Sequence, residues 1–480
     1  MRARIAAHVF APENRKWWTL VAVTFGLFMI MLDNTVVNVA LPSIQRDLKV
    51  DVSELEWVVN AYFLTFAVLM LTGGKLGDLL GRRLIFIVGL AIFTASSLAC
   101  GLATSGDVLI AARAVQGVGA ALMNPATLSI ITAAFPPRQR GMAMGIWVGV
   151  SAMALALGPI TGGLLAEHAD WSWIFFINVP IGLVAMVVAR LVVAETKDTS
   201  GEQRLDLPGL ATSGTSLFAL TYALIEANNK GWTSAEILAL FALAAVSMAA
   251  FVMLELRQRV PMLDLSLFRN ATFAGANATM LLVALAMFGV FFFVSLYVQN
   301  ILGYSPVQAG AAFLPMTMCI VFIAPVAGKL SDHVGSRWLM GGGMTLVGCS
   351  LLLFSLLDQA SSFWNLFPAL LVGGAGMALA MTPTASAAMG SVPVDKAGVG
   401  SGVLNSMRQV GGSLGVAIMG AILGSYVSVP QFSPRFPGQF VEGFQASLHV
   451  AAGIAFAAAI VAVLTVRKYR HQETLVEAAA

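Results

Sequence analysis

The stretch WVGVSAMALALGPITGG, residues 147–163, decides the fold. It is apolar enough to lie in a membrane, yet it contains four glycines and a proline, which weaken an isolated helix. Inside lipid, such a helix is tolerable where neighbouring helices pack tightly against it. Gly141 and Gly145 precede it and form a small face with Gly149 at a spacing of four residues. The stretch therefore predicts a helix that bends or slides against a partner helix.

The composition of the whole chain requires a lipid environment. Of its 480 residues, 58% are hydrophobic and only 11% are charged, whereas soluble domains carry about 25% charged residues. Windows of about 20 apolar residues predict fourteen membrane-spanning helices. These begin near Trp17, Leu55, Leu84, Asp107, Gly141, Trp173, Pro208, Ala235, Ala271, Pro306, Trp338, Phe363, Ala397 and Phe444. A count of twelve would require residues 208–256 to form a loop, and that segment is too apolar.

The basic residues predict the orientation. With the N-terminus inside, the cytoplasmic segments hold 20 Lys and Arg and the outer loops hold 4, and this bias places both termini in the cytoplasm. The first apolar run is longer than a signal-peptide core, so we expect an uncleaved first span. The outer loop before the last span, residues 425–444, is predicted to have 20 residues.

An internal repeat divides the chain. Residues 74–83 read GKLGDLLGRR and residues 328–337 read GKLSDHVGSR, with six of ten positions identical and both copies in predicted cytoplasmic loops. Two similar halves around a midplane site are typical of a transporter that rocks between two states. The predicted segments are a cytoplasmic tail (1–16), an N-terminal six-helix bundle (17–195), two inserted helices with flanking loops (196–260), a C-terminal six-helix bundle (261–467) and a second cytoplasmic tail (468–480).

Several motifs resemble a known family. The first repeat copy resembles the G-x-L-x-D-x-x-G-R-R/K signature of the major facilitator superfamily. Residues 32–44, 112–122, 158–163, 171–182 and 408–415 resemble motifs of its fourteen-helix drug:proton antiporters of the QacA and EmrB type. The resemblance implies an all-α major facilitator fold with fourteen transmembrane helices arranged 6+2+6. It implies a bacterial cell-membrane protein that exports drugs.

The resemblance also assigns two groups of residues. It implies a conformational latch in the first repeat copy, formed by Gly74, Asp78, Gly81, Arg82 and Arg83. On the residues alone, these charges fit equally a solvated face that anchors the topology. The second group is the antiporter helix motif, comprising Gly149, Gly158, Pro159, Gly162 and Gly163. Ordinary tolerated kinks are the alternative for that group.

Asp33 is the strongest candidate for proton coupling. A carboxylate within a span costs about 3 kcal/mol on insertion scales, so it should face a cavity or a partner. Asp33 lies roughly 7 Å, and Arg113 roughly 9 Å, to the outer side of its helix centre, from 1.5 Å of rise per residue. The two charges are at similar depth, but the sequence does not show whether they touch. Either Asp33 takes up and releases a proton, or the two form a fixed ion pair.

Other polar residues lie within predicted spans. Asn34 and Asn38 follow Asp33, and Asn405 and Arg408 lie near the middle of the thirteenth span. An arginine at that depth needs a partner or a water-filled cavity. With Asp33 and Arg113, these four residues complete the predicted proton-coupling and substrate-binding group.

These observations together predict a proton-coupled exporter of lipophilic, cationic small molecules. The chain has no G-x-x-x-x-G-K-[ST] motif, and its G-x-S-x-G at residues 411–415 lies within a predicted membrane helix, so we expect neither an ATP motor nor an enzyme. We expect a monomer among lipids, with no cofactor, metal or nucleic acid. The alternatives are a narrow-specificity exporter of a metabolite, antibiotic or lipid, a proton symporter, and a membrane sensor or scaffold.

Overall fold

The structure is a computed structural model that describes residues 12–50, 52–197, 206–258, 261, 263–429 and 433–467. The predicted tail 468–480 and the first eleven residues of the N-terminal tail lie outside these ranges. Within them the chain is helical and contains no strand. The helices are α1 (Pro12–Leu48), α2 (Val52–Leu80), α3 (Arg82–Gly101), α4 (Gly106–Ala134), α5 (Pro137–His168), α6 (Trp173–Phe176), α7 (Asn178–Val192), α8 (Leu207–Lys230), α9 (Ala235–Arg257), α10 (Ala271–Asn300), α11 (Pro306–Ala312), α12 (Leu314–Val334), α13 (Ser336–Phe354), α14 (Phe363–Gly390), α15 (Ala397–Tyr426) and α16 (Phe436–Thr465). Two short 3₁₀ helices cover Leu265–Arg269 and Val394–Lys396.

Thirteen segments of the described chain are long and apolar enough to cross a membrane. Helices α6 and α7 together form one of them, and α11 continues into α12 to form another. Helix α8 is not among the thirteen. It packs against α9, where the Ser216 hydroxyl donates to the Ala244 carbonyl at 2.9 Å. All fourteen predicted segments are therefore helical, while a fourteenth crossing and the orientation of the termini stay predictions.

The predicted outer loop was too long. Helix α15 continues to Tyr426 and α16 begins at Phe436, so the connection covers residues 427–435 rather than 425–444. The last helix accordingly begins eight residues before the predicted Phe444. Pro437 occupies the first turn of α16. Proline is tolerated there because the first amides of a helix have no intrahelical acceptor.

The two halves contact each other chiefly through two helix pairs, α2 with α15 and α5 with α12. The predicted small face of α5 lies at the second of these contacts. A Cβ at Gly141 or Gly145 would overlap a backbone carbonyl of α12, and one at Gly149 would lie 3.4 Å from Val321 Cα. The prediction that these glycines admit a closely packed partner helix is confirmed. The partner belongs to the other half, so this packing is part of the interface between halves.

Candidate functional site

Asp33 and Arg113 form a buried ion pair. Arg113 Nη1 lies 2.5 Å from Asp33 Oδ2, and the two side chains are 1% and 0% exposed. The equal depth predicted from the helix rise therefore corresponds to direct contact between α1 and α4. Arg113 is held from two further directions, because its Nε donates to the Val58 carbonyl at 3.1 Å and its Cζ lies 4.3 Å from the Tyr62 ring centre.

Gln116 completes this buried cluster. Its Nε2 donates to Asp33 Oδ1 at 3.0 Å, and its Oε1 accepts from Arg113 Nη1 at 2.8 Å. The sequence analysis did not select Gln116, although it lies three residues after Arg113, a spacing that places both side chains on one helix face. All polar partners of Asp33 in the described chain belong to the N-terminal half, so the cluster joins α1, α2 and α4 without crossing to the other half.

The antiporter motif of α5 lies against the helix that carries Asp33. A Cβ at Gly158 would overlap the hydroxyl of Thr35, two residues after Asp33, and would lie 3.2 Å from the Val36 amide nitrogen. Glycine is therefore required at position 158 for this approach of α5 to α1. Gly162 is buried on the same helix. The side-chain surroundings of Pro159 and Gly163 lie outside the described residues.

The first repeat copy joins the two halves. We call Gly74, Asp78, Gly81, Arg82 and Arg83, with their partners, the first latch. Asp78 Oδ1 accepts from the Gly398 amide and Asp78 Oδ2 from the Val399 amide, both at 2.8 Å. These amides belong to the first turn of α15, where unpaired N–H groups and the helix dipole favour a negative charge. At Gly74, a Cβ would overlap the Gly398 carbonyl, so the backbones meet beside the carboxylate.

Arg82 extends the first latch in two directions. It donates to Asp78 Oδ1 from Nε at 3.0 Å and from Nη2 at 2.8 Å. The same Nη2 donates to the carbonyls of Val394 and Asp395 in the C-terminal half, at 2.5 and 3.0 Å. Asp78 and Arg82 are 3% and 1% exposed, so these two charges do not lie on a solvated face.

Gly81 and Arg83 act within the N-terminal half. Gly81 has a φ of 121°, which glycine adopts more readily than other residues, and it begins the tight turn into α3. The Arg83 amide donates to Glu195 Oε1 at 3.0 Å, and Arg83 Nε lies 3.6 Å from Glu195 Oε2. These two residues shape the turn on which the first latch is built.

The second repeat copy makes a related contact on the other side of the interface. We call Gly141, Gly328 and Asp332 the second latch. Asp332 accepts from the Gly141 amide at 2.9 Å and from the Met142 amide at 3.3 Å, near the start of α5. Gly335 has a φ of 96° and occupies the position equivalent to Gly81. The repeat thus places an aspartate of each half on the first turns of a helix in the other half, a role that the sequence analysis did not assign to Asp332.

Arg408 lies apart from the Asp33 cluster. Its Cζ is 5.3 Å from the ring centre of Trp147 on α5, so it faces the N-terminal half from α15. Asn405 Nδ2 donates to the Ser401 carbonyl within its own helix at 3.0 Å. No hydrogen bond or ion pair in the described chain joins Arg408 to Asp33. In the described chain, Asp33 and Arg113 therefore lie apart from Asn405 and Arg408.

The two remaining asparagines lie on α1. Asn34 is half-buried beside Asp33, and the side chain of Asn38 lies outside the described residues. In the parts of the chain that the structure describes, no group of three or more His, Cys, Asp or Glu side chains is placed to hold a metal ion.

Two related halves, apolar spanning helices and charged contacts between the halves define a membrane transporter. The sequence profile of the Major Facilitator Superfamily matches residues 23–416, and the chain belongs to this superfamily. The human organic anion transporter MFSD10 (TETRAN) has the same fold, with a TM-score of 0.67 at 16% identity, over 93% of this chain and 99% of that one.

Three curated relatives come from bacteria. The tetracenomycin C resistance and export protein of Streptomyces glaucescens is 37% identical, over 90% of this chain and 79% of the relative. The multidrug resistance protein Stp of Mycobacterium tuberculosis is 37% identical, over 85% and 76%. The puromycin resistance protein pur8 of Streptomyces alboniger is 35% identical, over 94% and 91%. The chain is thus a transporter rather than an enzyme, and a multi-pass protein of a bacterial plasma membrane.

Proposed function

We propose that the protein is a proton-coupled exporter of lipophilic small molecules, including antibiotics, that works by alternating access. The observation that carries the proton coupling is the fully buried Asp33–Arg113 pair. The export direction and the drug-like substrates come from the relatives, whose names describe resistance and export. The proposal includes fourteen crossings, termini in the cytoplasm and action as a monomer in contact with membrane lipids.

A proton on Asp33 would change the energy of the whole cluster. Protonation removes the negative charge and leaves Arg113 buried without its counter-charge. Losing one partner of a buried ion pair costs about 3–5 kcal/mol. Arg113 cannot relieve this cost by moving alone, because the Val58 carbonyl and the Tyr62 ring hold it. A rearrangement of α1 or α4 that admits water then becomes favourable, and this links the proton to a conformational change.

Helix α5 provides the connection from this cluster to the interface between halves. It contacts α1 at Gly158, beside Thr35, and it contacts α12 at Gly141, where Asp332 holds its first turns. The two positions are 17 residues apart, about 26 Å along a helix. A displacement of α1 at Asp33 would therefore be transmitted by α5 to the second latch. Opening of one latch while the other closes would complete alternating access.

The cationic charge expected for the substrate stays a prediction. The expectation of a cationic substrate rested on Asp33 as an available carboxylate, and the structure pairs Asp33 with Arg113 and Gln116. The breadth of the substrates is a separate question. Two of the relatives are named for one compound and one is named for multidrug resistance. A narrow-specificity exporter of a metabolite, antibiotic or lipid therefore stays the second candidate.

The test uses the purified chain in liposomes loaded with the pH dye pyranine. Puromycin, tetracenomycin C and ethidium are added in turn, and substrate-driven proton flux is measured for wild type and Asp33→Asn. We expect flux with at least one compound in the wild type and none in the variant. Asp264→Asn, which changes a partly exposed aspartate outside the spans, is the matched control and should behave as wild type. Equal proton flux in wild type and Asp33→Asn would contradict the role of Asp33.

A further inference from the structure

Arg408 is a buried charge without a counter-charge. It is 7% exposed and lies within the apolar segment Val394–Tyr426. Its Cζ lies 5.3 Å from the ring centre of Trp147, and in the described chain it forms no hydrogen bond and no ion pair. Arg113, by contrast, is neutralised by Asp33. An unpaired guanidinium at this depth is costly, and charged residues within spans typically mark a ligand or ion pathway.

The position of Arg408 places it between the two halves. Ser401, Asn405 and Arg408 follow each other at helical spacings of four and three, so they share one face of α15. The Ser401 hydroxyl donates to the Pro125 carbonyl of α4 at 2.7 Å, which turns this face toward the N-terminal half. The Trp147 indole, beneath the guanidinium, donates to the Thr127 hydroxyl at 2.9 Å.

A second polar group without a partner lies beside these contacts. Asn124 is 0% exposed, and neither its amide nitrogen nor its amide oxygen has a hydrogen-bond partner. It precedes Pro125, which accepts from Ser401, and it lies one helical turn before Thr127, which accepts from Trp147. A buried side-chain amide normally has partners, because leaving such a group unpaired costs about 1–3 kcal/mol. The unpaired amide of Asn124 is an observation independent of the unpaired guanidinium of Arg408.

We propose that Arg408 binds an acidic group of the transported molecule, a carboxylate or another single oxyanion on a lipophilic body. Asn124 pairs with a further polar group of the same molecule. The inference rests on the proposed export function and names its substrate class. A carboxylate restores the missing counter-charge of Arg408, whereas an ammonium group would meet an uncompensated positive charge.

The experiment measures binding to the purified full-length chain in lipid nanodiscs without any pH gradient. Three tritiated probes share one ring system and differ in charge: 2-naphthaleneacetate, 2-(2-naphthyl)ethanol and 2-(2-naphthyl)ethylammonium. Scintillation proximity gives the affinities of wild type, Arg408→Gln, Arg408→Lys and Asn124→Leu, with empty nanodiscs subtracted. Arg190→Gln is the matched control, because Arg190 lies on an exposed face of α7.

The wild type should bind the acetate at least tenfold more tightly than the alcohol or the ammonium, since hydrogen bonds to charged groups contribute about 1.5–3 kcal/mol. Arg408→Gln should lose that tenfold preference while its affinity for the alcohol stays within twofold, and Arg408→Lys should keep part of the preference. Asn124→Leu should keep the tenfold preference for the acetate, because none of the three probes carries the second polar group that Asn124 would pair with. Equal wild-type affinities, a preference for the ammonium, or equal losses of acetate and alcohol in Arg408→Gln would overturn the proposal.

The binding experiment tests the anion site separately from the proposed export function. The wild-type preference among the probes needs no variant to fold, and it needs no proton gradient. Anion binding without substrate-driven proton flux in the liposome assay would overturn the exporter proposal and leave the site. Substrate-driven proton flux without a preference for the acetate would overturn the site and leave the exporter.

Discussion

Replacing Asp78 by asparagine should open the interface between α2 and α15. The Asp78 carboxylate accepts from two backbone amides of the other half, those of Gly398 and Val399, each at 2.8 Å. It also orients Arg82, which donates to two carbonyls of that half. An asparagine keeps the shape of the side chain, but it offers one acceptor oxygen and turns an N–H₂ group toward donors.

The magnitude follows from these contacts. Hydrogen bonds to charged groups contribute about 1.5–3 kcal/mol each, and an N-cap side chain contributes about 0.5–2 kcal/mol to its helix. Because asparagine can still satisfy one of the two amides, we take the net loss as about 2–3 kcal/mol. At about 1.4 kcal/mol per decade, the ratio of open to closed interface rises about 30- to 150-fold. A minor open population of the wild type then becomes readily detectable.

Double electron–electron resonance in nanodiscs measures this ratio. Spin labels at Leu80 and Val394, which are 56% and 43% exposed, report the separation of the two halves at the first latch. The native cysteines Cys100, Cys319 and Cys349 are replaced first. We expect one short distance in the wild type and an added longer distance in Asp78→Asn.

The control is Asp264→Asn in the same label background. Asp264 pairs with Lys396 at 2.8 Å, but both side chains are about a third exposed, and such pairs contribute about 0–1 kcal/mol. Its distance distribution should match that of the wild type. Superimposable distributions for Asp78→Asn and wild type would refute the assignment of the first latch as an energetic link between the halves.

Three further predictions follow from the same contacts. Asp332→Asn should open the α5–α12 interface less than Asp78→Asn opens its own, because its contacts of 2.9 and 3.3 Å are longer, and spin labels across α5 and α12 would show this. Gly141→Ala should abolish transport because its Cβ would overlap the facing backbone of α12, whereas Gly453→Ala, with no atom within 4 Å, should transport as wild type in the liposome assay. The hydrogen bond from Lys396 lowers the pKa of Asp264 to about 2, so this pair stabilises the fold fully above about pH 4 and ceases to do so as the pH falls through 2. Melting temperatures of wild type and Asp264→Asn should therefore differ slightly at pH 6 and converge near pH 2; a difference that persists at pH 2 would contradict this.

The residues of the interface between halves could be predicted in part from the sequence, because they follow local patterns. The repeated G-K-L-x-D segment carries the aspartate of each latch, but the sequence did not show which helix receives it. The close approach at Gly141 and Gly145 follows from their spacing of four on one helix face. These features need only the positions of residues along one helix, and the helix starts are mostly correct to within a few residues.

The charge clusters could be predicted from the sequence only in part, because they depend on how distant helices are rotated about their axes. The rise per residue gave the common depth of Asp33 and Arg113, but one residue of helix advances the side-chain direction by about 100°. Whether the two residues touch, and whether Arg408 joins them, is set by that rotation. The sequence indicated that Arg408 needs a partner, and in the described chain it lies over the Trp147 ring without a counter-charge.

Asp33 and Asp78 differ in whether their partners lie in the same half of the protein. Asp33 is neutralised by Arg113 and Gln116, which lie with it in one half, so rocking of the halves as rigid bodies leaves these contacts intact. Asp78 is bound to the first turn of α15 in the other half, so the same rocking must break its contacts. In the proposed mechanism, a proton at Asp33 would not break contacts between the halves directly. Its effect would reach the second latch through α5, which contacts α1 at Gly158 and accepts the Asp332 contact at Gly141. The ion pair that the proton would disrupt and the contacts that rocking would break therefore lie at separate places in the fold.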